Sequence, residues 1–327
     1  MISALMWLGI ALLVLFILVA IAIPLLALAW WAGWRTRAPQ GEPRPNDPPA
    51  PGPFLVYLSG VGDISGEYST LYEDDFLEAI AERIPGLVIV TDVFAYSYVN
   101  VGMTSEGNLG WFWAWVNAVR LNKGSPLRRV GKLINLRNAL HVAVSADRRY
   151  GPIYNYGVAE MILQGLLRHG YVLGSGAPVT LLGYSGGGQI ALATAGFIQA
   201  TLRAPVQVIS LAGIMSSSDS LSRISALTHL YGTRDHNQRL GKLLFPARWP
   251  LFQGSDWNQA LATGKIELVC LGPMCHTGRG SYLDATQQIA DGRSFQAVTA
   301  DAVAERIRRL GGVTAAPTRP AVAARSP

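Results

Sequence analysis

The residues of this chain best placed to do chemistry sit at Gly183-Tyr184-Ser185-Gly186-Gly187, a G-x-S-x-G pattern. Before it, Val179, Leu181 and Leu182 form a short apolar run of strand type, and Gln189 onward reads as a helix of small residues. A strand-to-helix corner this sharp lifts the Ser185 hydroxyl clear of its neighbours, and only small flanking residues permit it. A serine hydroxyl is a poor nucleophile at neutral pH. It needs a neutral imidazole to take its proton during attack, and a carboxylate on the other ring nitrogen to fix the tautomer and stabilise the imidazolium. The rest of the chain therefore has to bring a histidine and an acid to Ser185.

The elements around that corner alternate strand and helix, as in an α/β fold with a mostly parallel sheet and helices on both faces. Strands are expected at Phe54 to Ser59, Leu87 to Thr91, Val206 to Leu211, Leu227 to Tyr231 and Ile266 to Leu271, beside the one that ends at Ser185. Thr70 with Glu73 forms a capping box for a helix carrying Phe76, Leu77, Ile80 and Ile84 on one face, closed by Pro85-Gly86. Further helices are expected at Val158 to Arg168, after Ser185, and around Val303, Ile307 and Leu310, where Gly311-Gly312 stops the last one.

Residues 54–312 are enough for one large domain. Half of the 327 residues are hydrophobic and the mean hydropathy is +0.25, high for a soluble enzyme. Met1 to Trp34 accounts for this: it is almost uninterrupted apolar sequence, with Pro24 as its one obvious breaker and no charged side chain before Arg35. It reads as an uncleaved transmembrane anchor, with Trp30, Trp31 and Trp34 at the interface. Arg35, Arg37 and Arg44 follow it, which places the domain on the cytoplasmic side by the positive-inside rule. Residues 35–53 are a Pro-rich linker and 313–327 an Ala/Pro/Arg-rich tail expected to be disordered. The net charge of +6 comes with no Lys/Arg run of the kind that tracks phosphates, so no nucleic acid partner is expected. Cys270 and Cys275 cannot make a disulfide framework, and with His276 they offer too few ligands for zinc. They read as a packed strand residue and a loop thiol, with neither metal nor cofactor expected.

Residues from about 54 to 312 resemble the α/β-hydrolase superfamily, of serine esterase or lipase type. The resemblance rests on Gly183-Tyr184-Ser185-Gly186-Gly187 in its strand-turn-helix context and on partners in the chain order Ser, acid, His. Of the five histidines, His229, His236 and His276 come after Ser185, and the first two lie at the acid position itself. The resemblance thus makes His276, in the loop Gly272 to Gly278, the base and Asp235, in Tyr231-Gly232-Thr233-Arg234-Asp235, the acid, with Asp219 as the fallback. It implies an oxyanion hole from the Gly186 N–H and one donor of the turn after the first strand, Val61. Ser59-Gly60 departs from the His-Gly start that this turn has in many members. The activity implied by the resemblance is hydrolysis of a carboxylic ester through an acyl-enzyme, with a hydrophobic acyl or lipid substrate favoured. The same triad would serve an acyltransferase, and a silent membrane-tethered interaction module is the reading from another class.

An insertion is expected from about 98 to 149, containing Trp111, Trp113 and Trp115. After these come Arg120, Lys123, Arg128, Arg129, Lys132 and Arg137, with no acidic residue up to Leu140. Aromatics beside cations suit a membrane interface. Trp111, Trp115 and Val119, at helical spacing, would equally suit a lid packed over the pocket.

Overall fold

The computed structural model describes residues 52–65, 71–97, 102–105, 110–122 and 124–312, with scattered positions between 6 and 32. Six strands, β1 (Phe54–Leu58), β2 (Val88–Val90), β3 (Val179–Tyr184), β4 (Val206–Leu211), β5 (Ala226–Tyr231) and β6 (Ile266–Cys270), form one sheet in the order β2-β1-β3-β4-β5-β6. Every neighbouring pair is parallel. The three central strands FLVYL, VTLLGY and VQVISL are buried at every position, which is why they read as near-continuous apolar runs. Along β1 the pleat sends Phe54, Val56 and Leu58 to one face and Leu55 and Tyr57 to the other.

Nine helices of the described residues surround this sheet: α1 (Leu71–Arg83), α2 (Gly110–Leu121), α3 (Lys132–Ala146), α4 (Gly151–Arg168), α5 (Gly186–Leu202), α6 (Ser220–Arg223), α7 (Leu240–Leu244), α8 (Asp256–Ala262) and α9 (Phe295–Leu310). On one face α1 and α9 pack Phe76, Ile80, Val303 and Ile307 against Leu55 and Leu182. On the other, α3, α4 and α5 contribute Ile134, Val158, Ile162 and Ile190 to a core with Phe54 and Val56. Each such fully buried side chain contributes about 1.5–3 kcal/mol of transfer free energy.

Several elements differ from the expectation. The helix α5 starts at Gly186 rather than Gln189, and α4 reaches back to Gly151. Glu73 is buried and accepts a hydrogen bond from the Tyr57 hydroxyl at 2.7 Å, and Thr70, the other half of the expected capping box, lies outside the described residues. Cys270 is exposed, not packed, because β6 is the sheet's edge. In the insertion Gly110 and Val116 are the buried positions of α2 and Trp113 packs against the core, whereas Trp111 and Trp115 are 73% and 44% exposed. The stripe Trp111, Trp115, Val119 is therefore not a packed lid over a pocket.

Among the described residues no helix is long and apolar enough to cross a membrane. Most of Met1 to Trp34, residues 35–51 of the linker and the tail 313–327 lie outside them.

The topology sets where a site can form. The chain leaves β1 for β2 on one side and returns past β1 to place β3 on the other. At such a reversal the loops after the two strands diverge, opening a crevice at their carboxyl ends. Those loops are the turn Ser59 to Asp63 and the corner at Ser185.

Candidate active site

Ser185 joins β3 directly to α5 with φ 52° and ψ −117°, a left-handed backbone that costs a non-glycine residue about 1–3 kcal/mol. The neighbouring strand holds it there. Its N–H donates to Leu211 O at 2.9 Å, and its carbonyl accepts from Gly188 N at 3.1 Å and Ile214 N at 3.3 Å. A Cβ on Gly183 would lie 2.4 Å from Gly187 O, and one on Gly187 would lie 2.3 Å from Leu58 O. Both outer glycines of the pattern are thus demanded by backbone packed on backbone.

His276 arrives from the loop after β6 and places Nε2 2.8 Å from Ser185 Oγ. Its ring stacks on Tyr184 at 5.9 Å, and the Tyr184 hydroxyl donates to the His276 carbonyl, so side chain and backbone are both located by the residue preceding the serine. Asp235 follows β5 and is completely buried. Its Oδ2 lies 2.9 Å and its Oδ1 3.1 Å from His276 Nδ1. Oδ1 also accepts from Asn237 N at 3.0 Å and Gln238 N at 3.2 Å, and Oδ2 from the Tyr282 hydroxyl at 2.7 Å. Burial alone would push the Asp235 carboxyl up; the hydrogen bonds from His276 and Tyr282 overcome this and hold it below the usual carboxylate range.

Tyr282 has no exposed surface, and its oxygen also accepts the Gly232 N–H at 2.7 Å. Burial first, then the bond to Asp235, pushes its hydroxyl up, so it stays a proton donor across the working pH range. Nothing in the sequence pointed to this residue: a tyrosine six positions past a loop histidine has the look of ordinary core.

The alternative partners lie elsewhere. Asp219 precedes α6 with its side chain 82% exposed and 3.9 Å from Arg223. His229 is buried in β5, 3.2 Å from Ser210 Oγ and 3.4 Å from Gln238 Oε1, and burial pushes it down to about 4, so it is neutral. His236 is exposed. Cys275 turns its thiol towards the carbonyls of Thr277 and Arg279 in its own loop.

The turn after β1 abuts the serine corner: a Cβ on Gly186 would lie 2.6 Å from Val61 Cγ1 and 2.9 Å from Val142 Cγ2. Its carbonyls are held from outside. Tyr96 donates to Ser59 O at 2.7 Å, Arg120 to Gly62 O, and the buried Asn138 to Val61 O at 3.0 Å and Asp63 O at 2.7 Å. Arg137 in turn donates to Asn138 Oδ1 at 3.1 Å and to Tyr96 O at 3.3 Å, with its guanidinium 5.9 Å from the Trp113 ring. Arg120 and Arg137, expected among the membrane-facing cations, therefore point inward. Helix α3 buries polar side chains beside apolar ones: Arg137, Asn138, His141 and Ser145 are buried with Ile134 and Val142, while Leu133 and Leu136 are exposed. That polar face is the signal that could have found Asn138.

At the end of the turn, Asp63 is pushed up to about 7, by burial first and then by the charge of Glu73, against the Ser59 hydrogen bond and Arg120.

No protein-family model and no curated protein matches this chain.

Proposed function

We propose that this protein is a membrane-anchored serine hydrolase of α/β-hydrolase type that cleaves a carboxylic ester through an acyl-enzyme. The observation that carries the reading is the continuous hydrogen-bonded line from Ser185 Oγ through His276 to Asp235, at 2.8 Å and 2.9 Å, on a corner of positive φ at the sheet's topological reversal. In the first step Ser185 Oγ attacks the ester carbonyl and its proton passes to His276 Nε2, while Asp235, accepting from Nδ1, stabilises the imidazolium. The negative charge moves to the carbonyl oxygen, where the amides of Gly186 and Val61 are the donors this reading assigns. Collapse expels the alkoxide, which takes the proton from His276. A water then repeats the sequence on the acyl-enzyme, with His276 again as base, and releases the acid. The same steps with another acceptor would make the protein an acyltransferase.

Support for a hydrophobic acyl group comes from the walls beside the reacting centre, Val61 and Val142 against Gly186. The anchor over Met1 to Trp34, with the domain on the cytoplasmic side, belongs to this reading on its sequence alone. The test is labelling by a fluorophosphonate together with hydrolysis of a short-chain ester. Ser185→Ala should lose both, with kcat down by about 10⁶, while thermal unfolding stays near that of the parent. Wild-type-like turnover by the folded variant, or no labelling of the folded parent, would sink it.

A further inference from the structure

The segment 237–252, between Asp235 and α8, carries a cluster of outward apolar side chains that neither the fold nor the proposed chemistry uses. Leu243 is 68% and Leu251 83% exposed, and Leu244, Trp249 and Phe252 are exposed beside them. The segment is nonetheless firmly built. Arg248 lies 3.8 Å over the Trp257 ring and donates to Met215 O at 2.9 Å, fastening the segment from beneath to the loop that follows β4. Part of its polar backbone is paired within the segment: Arg248 N donates to Phe245 O at 2.9 Å, Trp249 N to Pro246 O at 2.8 Å and Phe252 N to Trp249 O at 3.0 Å. Asn258 Nδ2 donates to the carbonyls of Trp249 at 2.8 Å and Phe252 at 2.9 Å, and Trp249 Nε1 to Lys242 O at 2.8 Å.

These features select an occupant. A surface that enters lipid must bring no unsatisfied backbone groups with it, since each would cost several kcal/mol in a medium without water. Here the turns satisfy many of them internally, so apolar side chains can leave water without dragging bare amides along. The charge agrees: between Asp235 and Asp256 there is no acidic residue, while Arg239 and Lys242 are exposed beside the leucines. Aliphatic side chains, an interfacial tryptophan and flanking cations are complementary to a bilayer bearing anionic headgroups. We infer that 237–252 is a lip that dips into an anionic lipid surface and sets the carboxyl end of the sheet, with Asp235 and His276, against it. This contact does not depend on whether the triad cleaves esters.

The experiment uses the full chain reconstituted into vesicles, with Cys270→Ser and Cys275→Ser and an environment-sensitive fluorophore on Leu251→Cys, compared with the same label on Glu78→Cys in α1, which is exposed on another element. Thermal unfolding matching the parent shows that the labelled proteins are folded. In vesicles of equal phosphatidylcholine and phosphatidylglycerol, the label at 251 should blue-shift and be quenched by nitroxide on the acyl chains, less so at high salt, and the label at 78 should stay aqueous. An aqueous signal at 251 overturns the inference. So does a label shielded from iodide but not quenched by nitroxide lipid, which would mean that protein covers the lip, whether the N-terminal stretch or a second copy. Equal quenching in pure phosphatidylcholine would overturn the requirement for anionic lipid. Fluorophosphonate labelling of the same samples reports the triad separately, so failure of one proposal is not mistaken for failure of the other.

Discussion

Replacing Tyr282 by Phe isolates one oxygen that the reading makes important for the acid. The ring, wholly buried, keeps its packing, and two hydrogen bonds disappear, to Asp235 Oδ2 and from Gly232 N, both 2.7 Å. A hydrogen bond to a charged group is worth about 1.5–3 kcal/mol, and a buried N–H left without an acceptor costs about 1–3 kcal/mol. The two share an atom and are not additive, so a stability loss of about 2–4 kcal/mol is expected. Asp235 keeps Asn237, Gln238 and His276 as donors, so its orientation is loosened rather than lost. The kcat for a short-chain ester should then fall about tenfold to a hundredfold, equivalent to about 1.4–2.7 kcal/mol, with KM little changed. A pH series separates this from simple packing damage. Asp235 has a depressed folded pKa, so its contribution to stability is present above the unfolded value near 3.9 and is lost as pH falls through the folded one. Without Tyr282 that depression shrinks. The gap in melting temperature between wild type and Tyr282→Phe should therefore be widest near pH 7 and narrow towards pH 3, leaving the pH-independent part due to Gly232. An unchanged kcat with a gap constant across pH would refute the assignment of Tyr282 as the residue that positions the acid.

Three further outcomes are expected. Asp235→Asn should lower kcat by about 10⁴, measured on the same ester, whereas Asp219→Asn at its exposed position should leave it unchanged. Asp63, with its folded pKa pushed up to about 7, binds its proton more tightly folded than unfolded; its charge destabilises the fold increasingly from about pH 4 to 7 and fully above that. Asp63→Asn should thus raise the melting temperature at pH 8 and change it little at pH 4, and equal shifts at both would exclude a buried titration there. Gly186→Ala meets side chains alone, Val61, Val142 and the Tyr96 hydroxyl, which can shift, so it should fold and lose activity. Gly183→Ala meets Gly187 backbone at 2.4 Å and should lower the melting temperature far more than Gly186→Ala; circular dichroism melts give the ranking.

What could be read in the chain and what could not divide along a physical line. The central strands were legible because burial on both faces forces continuous apolar sequence, and the corner at Ser185 because close backbone packing demands Gly183 and Gly187. Asp235 and His276 were named through the residue order of the family that the chain resembles, and the structure places them in the loops after β5 and β6. Tyr282 and Asn138 were not, since their roles exist only across separations of 47 and 75–77 residues, and no local period encodes which carbonyl or carboxylate a side chain will meet. Helix α3 shows how such a distant partner acts. The turn Ser59 to Asp63 presents its carbonyls to the protein rather than to water, and a carbonyl left without a donor would cost about 1–3 kcal/mol. The helix covering it therefore turns Asn138 inward to two of those carbonyls, and Arg137 beside it donates to the Asn138 side-chain oxygen. The insertion thus supports the proposed oxyanion turn through Arg120 and Asn138. Deleting it would remove the Arg120 and Asn138 donors from Gly62, Val61 and Asp63 and leave Tyr96 on Ser59, which is why changes in α3 should register in turnover before they register in substrate size.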